Sequence, residues 1–402
     1  MTSDTRVRLT LLWFLLVAAT FALGCGGSAT EELVIGEFGS LTGNDATFGQ
    51  STKNGVQVAI DELNAAKQGK IGGLKVRVVV EDDQGRAEEA ATVVQKLINS
   101  DGVVAVLGEV ASSRSLAAAP LCQNAGVPMI TPSSTNPRVT QVGDYIFRMC
   151  FLDDFQGQVM AKFASGELKL TRVAVLKDIR QDYSVGLAQY FTEAFKQLGG
   201  TIVIEQSFSS GDQDFRAQLT AIKAKNPQAV ILPIYYTEAG LIGRQARELG
   251  ITVPLIGSDG WESEQLIQIG GEALNGCYYV NHWALDQPDP KLQEFLTKYR
   301  TAHKSDPDAI GGLAYDAANV LFASLERLAE QDPESFKGLS SKAGTEARRA
   351  ATKKLRDLIA TTTNYPGATG VITLDENRNA SKPAVVIGIE GGKKVYKASI
   401  SP

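Results

Sequence analysis

The sequence predicts an α/β fold of two doubly wound lobes, each built on a mainly parallel sheet. From Leu33 onward, short continuous apolar runs alternate with segments of helical periodicity, which is typical of parallel strands buried on both faces. The alternation stops at residues 151–156 and then begins again. Two successive series of strands and helices predict two lobes with right-handed crossovers rather than one large core.

The strands of both series are predicted from short continuous apolar runs. Gly199 and Gly250 follow two of the helical segments of the second series, where helix C-caps belong. The predicted strands are 33–35, 76–80, 103–107 and 127–130 in the first series, and 173–176, 201–204, 230–234 and 254–256 in the second.

The C-terminal third carries helical patterns at residues 291–303 and 312–330 and a charged, poorly patterned stretch at 331–349. Two strand-like runs joined by turns follow near the end of the chain. Segments this late in the sequence are compatible with a return to either lobe. The lobes are therefore not expected to be contiguous in sequence.

The N-terminal segment predicts export. Arg6 and Arg8 precede an apolar stretch at residues 9–23 that is short for a membrane span and ends in small residues, as in a secretory signal of residues 1–24. The following Cys25 resembles the lipidated cysteine of bacterial lipoproteins, which implies a lipid anchor and a tether of residues 25–31. The alternative is an ordinary signal with a chance cysteine. Either reading predicts a location outside the cytoplasm.

Composition excludes several classes of protein. The chain has 40 basic and 45 acidic residues, with no basic block for nucleic acid and no second long apolar run for a membrane span. Three further cysteines remain. In an oxidising compartment Cys122 and Cys150 are candidates for a disulfide, which leaves Cys277 as a buried thiol.

Motifs for catalysis, cofactors and metals are missing from the sequence. The two histidines, His282 and His303, lie in no metal-binding or triad spacing, and we find no P-loop, dinucleotide-binding, Cys-x-x-Cys or His-Glu-x-x-His motif. His282 is interpreted as a structural residue at the end of a segment. A hydrolase that uses Ser112 or Ser133 lacks an evident base. No enzyme activity, metal or cofactor is predicted.

Binding residues are expected after the strands, because ligands of open α/β sheets lie outside the carboxyl ends of the strands. The first series offers hydroxyls there and the second offers tyrosines and a carboxylate, which together suit a zwitterion. An alternative remains open for each, as a helix cap, a packed aromatic or an Asp-Gly turn. The candidates are Ser112, Ser133, Thr135, Tyr183, Tyr235, Tyr236 and Asp259.

Seven stretches of the sequence stand out together, in this order along the chain: "IGEFGSLTGNDATFGQSTKNGVQVAIDELN", "VLGEVASSRSLAAAP", "VPMITPSSTNPRVT", "YIFRMCFLDDFQGQVMAKF", "DYSVGL", "YYTEAGLIGRQARELG" and "PLIGSDGW". With them the sequence resembles a known family, the type I periplasmic binding proteins of the branched-chain amino acid (Leu/Ile/Val) transporter class. The resemblance extends from Leu33 to the C-terminal strands and is more specific than any single motif.

The resemblance implies the periplasmic binding protein type I fold, in which a hinge of three crossings joins the lobes. On this basis lobe 1 is expected to contain residues 32–151 and 280–361. Lobe 2 is expected to contain residues 152–279 and 362–402.

The resemblance also implies roles for the candidates. Ser112 is expected to hold the ligand carboxylate, Ser133 and Thr135 to contact both carboxylate and amino group, and Asp259 to meet the ammonium. Tyr183 and either Tyr235 or Tyr236 would close over the ligand, and Phe48 would pack on its side chain; Ser134 is left to the backbone. Asp259 replaces the usual Glu, and the region of Ile310 lacks the aromatic residue of some members.

The implied function is capture of an amino acid, branched-chain or another small aliphatic one, by a monomeric solute-binding lipoprotein without cofactors. It would deliver the amino acid to the permease and ATPase subunits of an ABC importer. The alternative is a sensor of amino acids or amides with the same fold that signals to a receptor or regulator.

Overall fold

A computed structural model describes residues 31–400 of the chain. The predicted signal, Cys25 and most of the tether lie outside these residues. Within 31–400, no helix is long and apolar enough to cross a membrane. Helices and strands alternate along most of this range, and they form two large sheets that confirm the predicted α/β class.

The first lobe contains a six-stranded sheet in the order β2-β3-β1-β4-β5-β6. All neighbours are parallel except the short β2, which pairs with β3 in the antiparallel sense. Four helices connect these strands. The elements are β1 (Glu32–Gly39), α1 (Ala46–Lys67), β2 (Lys70–Ile71), β3 (Leu74–Asp82), α2 (Ala87–Asn99), β4 (Ala105–Leu107), α3 (Ser112–Ala125), β5 (Met129–Thr131), α4 (Arg138–Gln141) and β6 (Ile146–Arg148).

The second series begins at residue 153, where the sequence pattern predicts a break. Its parallel strands form the order β11-β10-β9-β7-β8. Gly199 and Gly250 adopt positive φ values beyond two helix ends, as expected for caps. The elements are α5 (Asp153–Lys162), β7 (Arg172–Asp178), α6 (Asp182–Gln197), β8 (Thr201–Phe208), α7 (Arg216–Lys223), β9 (Ala229–Leu232), α8 (Tyr236–Glu248), β10 (Leu255–Gly257), α9 (Glu264–Gly270) and β11 (Tyr278–Asn281). Three short non-α turns of helix complete it, at Phe163–Glu167, Asp259–Trp261 and Gly271–Leu274.

The last part of the chain contributes elements to both lobes. Its helices pack on the first lobe, where α1 lies against the long α11. Its last two strands extend the second sheet: the first of them pairs with β11 in the antiparallel sense, and the final strand pairs with that strand, also antiparallel. The elements are α10 (Pro290–His303), α11 (Ala309–Gln331), α12 (Pro333–Lys337), α13 (Thr345–Ala360), β12 (Tyr365–Gly367), β13 (Gly370–Ile372), β14 (Ala384–Glu390) and β15 (Lys393–Ile400).

The chain crosses between the lobes three times, and the third crossing is not where the sequence suggests. The first crossing follows β6 and the second follows β11. Tyr365, Ile372, Leu374 and Ala380 pack in the core of the first lobe. The third crossing therefore lies at residues 381–383, and the expected boundary at 362 is wrong because the apolar residues of β12 and β13 cover the first core.

The predicted disulfide is also wrong, because Cys122, Cys150 and Cys277 are all free, buried thiols. Cys122 belongs to the apolar layer between α3 and the first sheet. The thiol of Cys150 instead contacts the carbonyl oxygen of Ser134 at 3.6 Å. The two side chains thus have different surroundings, and burial raises the pKa of each to about 12, which keeps both thiols protonated.

Candidate functional site

A small cavity lies between the lobes, where the carboxyl ends of their strands face each other. Most of the residues predicted to bind ligand meet there, although they come from distant parts of the chain. Three further residues, Val110, Gly260 and Ile310, complete the wall. The lining is Phe48, Val110, Ser133, Thr135, Tyr183, Tyr235, Asp259, Gly260 and Ile310.

The loop after β5, residues 132–137, is fixed from beneath by a buried guanidinium. Arg148 on β6 donates hydrogen bonds to the carbonyl oxygen of Ser134 at 2.5 Å and to that of Asn136 at 2.9 Å. Its Nε donates to Oδ1 of Asn379 at 2.7 Å. Because Arg148 satisfies these carbonyl oxygens with hydrogen bonds, the loop can present its hydroxyl groups to the cleft.

The hydroxyls of this loop divide between structure and cleft. Ser134 donates to the backbone carbonyls of Glu109 and Val110 at 2.9 and 3.0 Å, as predicted for a residue left to the backbone. Ser133 and Thr135, by contrast, line the cavity. Ser133 and Thr135 therefore face the cleft, while Ser134 between them holds the loop to the first lobe.

Ser112 begins α3 and lies outside the lining of the cavity, although Val110, two residues earlier, belongs to it. Its Oγ accepts a hydrogen bond from the backbone N–H of Asn136 at 3.2 Å, so its own proton is available to another acceptor. The side chain is buried. The start of this 14-residue helix concentrates backbone N–H groups and positive potential in the same place.

Aromatic rings from both lobes meet over the cavity. Phe48 packs edge-on against Tyr235 and Tyr236, with centroids 5.4 and 5.0 Å apart, and Tyr183 stacks on Tyr235 at 5.2 Å. The hydroxyl of Tyr235 is buried without a partner in residues 31–400. Tyr236 lies outside the lining and instead accepts a hydrogen bond from the N–H of Thr47, across the lobes. Of the two tyrosines, only Tyr235 faces the cavity.

Asp259 is the acid of the site and accepts three side-chain hydrogen bonds. Its Oδ1 accepts from the hydroxyl of Tyr183 at 2.6 Å and from Nε2 of Gln156 at 2.8 Å. Its Oδ2 lies 3.1 Å from Nε2 of His282. A carboxylate has about four acceptor positions, so one position on Oδ2 remains for a ligand. The residue is almost fully buried.

His282 does not complete a catalytic triad. Its Nε2 lies 3.3 Å from Oγ of Ser133 and 3.1 Å from Asp259, so the same nitrogen contacts both. Its Nδ1 has no hydrogen-bond partner among residues 31–400. In a triad the acid holds one nitrogen while the other takes the proton of the nucleophile, and this geometry cannot relay a proton in that way.

A second buried acid, Asp153, begins α5 beside the site. Burial and the charge of Asp259 raise its pKa well above the usual value, and the neighbouring Thr135 acts in the opposite direction. The site therefore carries one carboxylate charge on Asp259 next to a carboxyl group that favours the neutral form. Across residues 31–400, no group of three or more His, Cys, Asp or Glu is arranged to hold a metal ion.

The lobes also contact each other directly at the rim of the cleft. The N–H of Asp182 donates to Oγ of Ser113 at 2.8 Å, and its carbonyl oxygen accepts from Asn136 at 3.0 Å. Arg138 forms an ion pair of 2.9 Å with its carboxylate. Asp182 thus joins three groups of the first lobe, which is the arrangement of a closed cleft.

Four residues that shape the site did not stand out in the sequence: Arg148, Asp153, Gln156 and His282. "DDFQ" places Asp153 and Gln156 three positions apart on one helical face, but nothing in the pattern relates them to Asp259. His282 was interpreted as structural, and its contact with Asp259 depends on the path of the second crossing.

Residues 32–393 match the model of a protein family described as "Periplasmic binding protein". The chain belongs to this family. A curated relative of this periplasmic binding protein is the leucine-, isoleucine-, valine-, threonine- and alanine-binding protein of Pseudomonas aeruginosa, 33% identical over 329 residues, which are 81% of this chain and 86% of the relative. The leucine-specific-binding protein of Salmonella typhimurium is 30% identical over 320 residues, 79% of this chain and 85% of that protein.

Solved structures agree with this family membership. The leucine-binding protein LivK of Thermotoga maritima is 37% identical and superimposes with a TM-score of 0.84, covering 92% of this chain and 99% of that one. LivJ of Streptococcus pneumoniae, solved with isoleucine, is 31% identical with a TM-score of 0.81 and the same coverage. These proteins bind substrates and are not enzymes, and the family places this periplasmic binding protein outside the cytoplasm.

Proposed function

We propose that the protein captures a zwitterionic amino acid between its lobes for an ABC importer. The observation that carries the proposal is the position of Asp259, on the second lobe, opposite the hydroxyls of Ser133 and Thr135 on the first. Donors on one wall and an acid on the other match the two charges of an α-amino acid.

The ligand carboxylate would lie at the start of α3. There the hydroxyl of Ser112, the N–H groups of the helix and the loop hydroxyls offer several donors to one anion. A buried carboxylate is costly unless donors of this kind replace its hydration. The ammonium would take the remaining acceptor position on Oδ2 of Asp259, with Thr135 beside it.

The rest of the lining favours an apolar side chain of modest size. Phe48, Val110 and Ile310 are buried and offer no polar side-chain atom, and Tyr235 adds one ring face. Amino acids with a small aliphatic side chain fit these surroundings. Two relatives are named for the binding of leucine, isoleucine, valine, threonine and alanine or of leucine alone, which supports the same class of amino acid.

Delivery to an importer follows from closure. A ligand that bridges Ser133 and Asp259 stabilises the closed arrangement of the lobes, and a permease can recognise the surface formed across the rim. LivJ, one of the similar solved structures, is named as the substrate-binding protein of a branched-chain amino acid transporter, which supports a role in transport. An amino acid sensor would share the capture step, and a test of uptake with the cognate permease separates the two roles.

A thermal-shift panel of the common amino acids tests capture. A small aliphatic amino acid should raise the melting midpoint, because it binds only the folded protein. Asp259→Ala should abolish this shift. Asp357→Ala should keep it, because Asp357 is an exposed residue of α13 and does not line the cavity. A panel that leaves the midpoint of the unaltered protein unmoved would overturn the proposal.

A further inference from the structure

His282 joins the hinge to both walls of the site. It follows β11 on the second crossing, its side chain is 2% exposed, and its Nε2 contacts Ser133 of the first lobe and Asp259 of the second. Its ring lies over Phe151 of the first crossing, with centroids 4.1 Å apart. His282 therefore connects the acid of the second lobe with a hydroxyl of the first.

The hydrogen-bond partners determine the tautomer of His282. An ionised Asp259 accepts but does not donate, so Nε2 must carry the proton, and the neutral ring keeps its lone pair on Nδ1. Nδ1 is buried without a partner in residues 31–400. A second proton would therefore reside on a buried donor that those residues leave unsatisfied.

The charges around the ring leave room for one cation. Asp259 is the anion in direct contact, while burial and Asp259 raise the pKa of Asp153 and favour its neutral form. Arg148 of β6 is held by loop carbonyls and Asn379, and Lys382 of the third crossing lies 3.7 Å from Asp316. The ligand carboxylate is met separately by the donors at the start of α3, so an imidazolium and a ligand ammonium would both depend on the single charge of Asp259 and repel each other.

We propose that His282 is an affinity-determining residue that binds its second proton in competition with the ammonium group of the ligand. This inference rests on the proposed capture of an amino acid. In the neutral state His282 donates Nε2–H to Oδ2 and orients Asp259 towards the cleft. In the protonated state it neutralises Asp259 and repels a second cation, so proton and ligand exclude each other.

Thermodynamic linkage predicts the direction and the largest size of the change in affinity with pH. Because binding is reciprocal, the ligand should displace one proton, and affinity should fall by up to about tenfold per pH unit once His282 is protonated. Glu238 of α8 titrates with the opposite effect. Its raised pKa, about 7, means that protonation at low pH relieves a buried charge at the lobe interface and favours closure. A loss of affinity on acidification therefore points away from Glu238.

The test is calorimetric titration of the full mature protein with leucine and alanine from about pH 5 to about pH 8, in buffers of different ionisation enthalpy. We expect affinity to fall towards acid pH, with about one proton released per ligand bound there. His282→Gln keeps a donor for Asp259 without a titrating group, so the acid dependence of its affinity should be lost. His303→Gln, at the other histidine, should retain it.

Two results would overturn the inference. One is an affinity for these ligands that does not change over this pH range in the unaltered protein. The other is an acid dependence that persists in His282→Gln. Failure of the proposed function looks different, since then neither amino acid binds at any pH. The melting midpoint of each unliganded variant, measured at each pH, separates loss of binding from loss of fold.

Discussion

The hydroxyl of Tyr183 donates a 2.6 Å hydrogen bond to Oδ1 of Asp259. Burial and the charge of Asp259 hold the pKa of Tyr183 well above its usual value, so the phenol keeps its proton. We predict that Tyr183→Phe weakens amino acid binding by about tenfold or more, because a hydrogen bond to an ionised group contributes about 1.5–3 kcal/mol. Calorimetric titration measures the change.

Tyr190→Phe is the matched control for this variant, since Tyr190 lies on the same helix, α6, and does not line the cavity. Its affinity should equal that of the unaltered protein. If Tyr183→Phe also bound normally, Tyr183 would not hold Asp259 in its binding orientation.

Arg148 supports the loop that carries Ser133 and Thr135. Lys at this position retains the charge but has fewer donors in a different geometry, so carbonyl oxygens of Ser134 and Asn136 would lose their partners. We predict that Arg148→Lys lowers the free energy of unfolding by about 2 kcal/mol or more and weakens binding as well. Denaturant unfolding and calorimetry measure the two effects.

Arg138→Lys provides the comparison, because its side chain is 67% exposed and pairs with Asp182 at the rim. An exposed ion pair contributes about 0–1 kcal/mol, so this variant should change stability little. Equal stability of the two variants would show that the buried guanidinium is not needed to hold the loop.

The sequence predicted strands well where apolar runs were long and bounded by turns. No strand is predicted at β6 or β11, whose apolar runs end at Arg148 and Asn281. The lobe boundary near residue 362 failed for a different reason. The apolar pattern around Ile372 indicates that the segment is buried, but it cannot show which of the two cores the segment covers.

The sequence predicts which candidate residues come together at the cavity, because the ends of parallel strands meet at one edge of each sheet. That rule selected Ser133, Thr135 and Asp259 without knowledge of their distances. It could not select Gln156 or His282, which reach Asp259 from a helix and from the hinge. Their contacts depend on how the lobes close, which no local pattern encodes.

The free thiols yield a prediction about redox conditions. Because Cys122 and Cys150 are buried and unpaired, a reductant should leave the melting midpoint of the protein unchanged. Thiol titration should count them only after unfolding, since burial keeps both protonated and out of reach of the reagent. A midpoint that drops with reductant, or thiols missing after unfolding, would show that a disulfide forms.

Glu238 makes stability depend on pH. Its pKa rises from the usual 4.5 to about 7, mainly through burial and next through the charge of Asp45 across the cleft. Between these values the folded protein holds a proton that the unfolded chain has released, so the free energy of unfolding falls as the pH rises through this window. Above it, the ionised carboxylate costs on the order of 1–3 kcal/mol.

Glu238→Gln removes this titration while it keeps an oxygen to accept the 3.3 Å hydrogen bond from the N–H of Gly211. We predict that the variant melts higher than the unaltered protein at about pH 8 and at nearly the same temperature at about pH 4. Glu248→Gln, at the exposed end of α8, should show neither effect. An equal shift of Glu238→Gln at both pH values would mean that packing, rather than the buried charge, causes its change in stability.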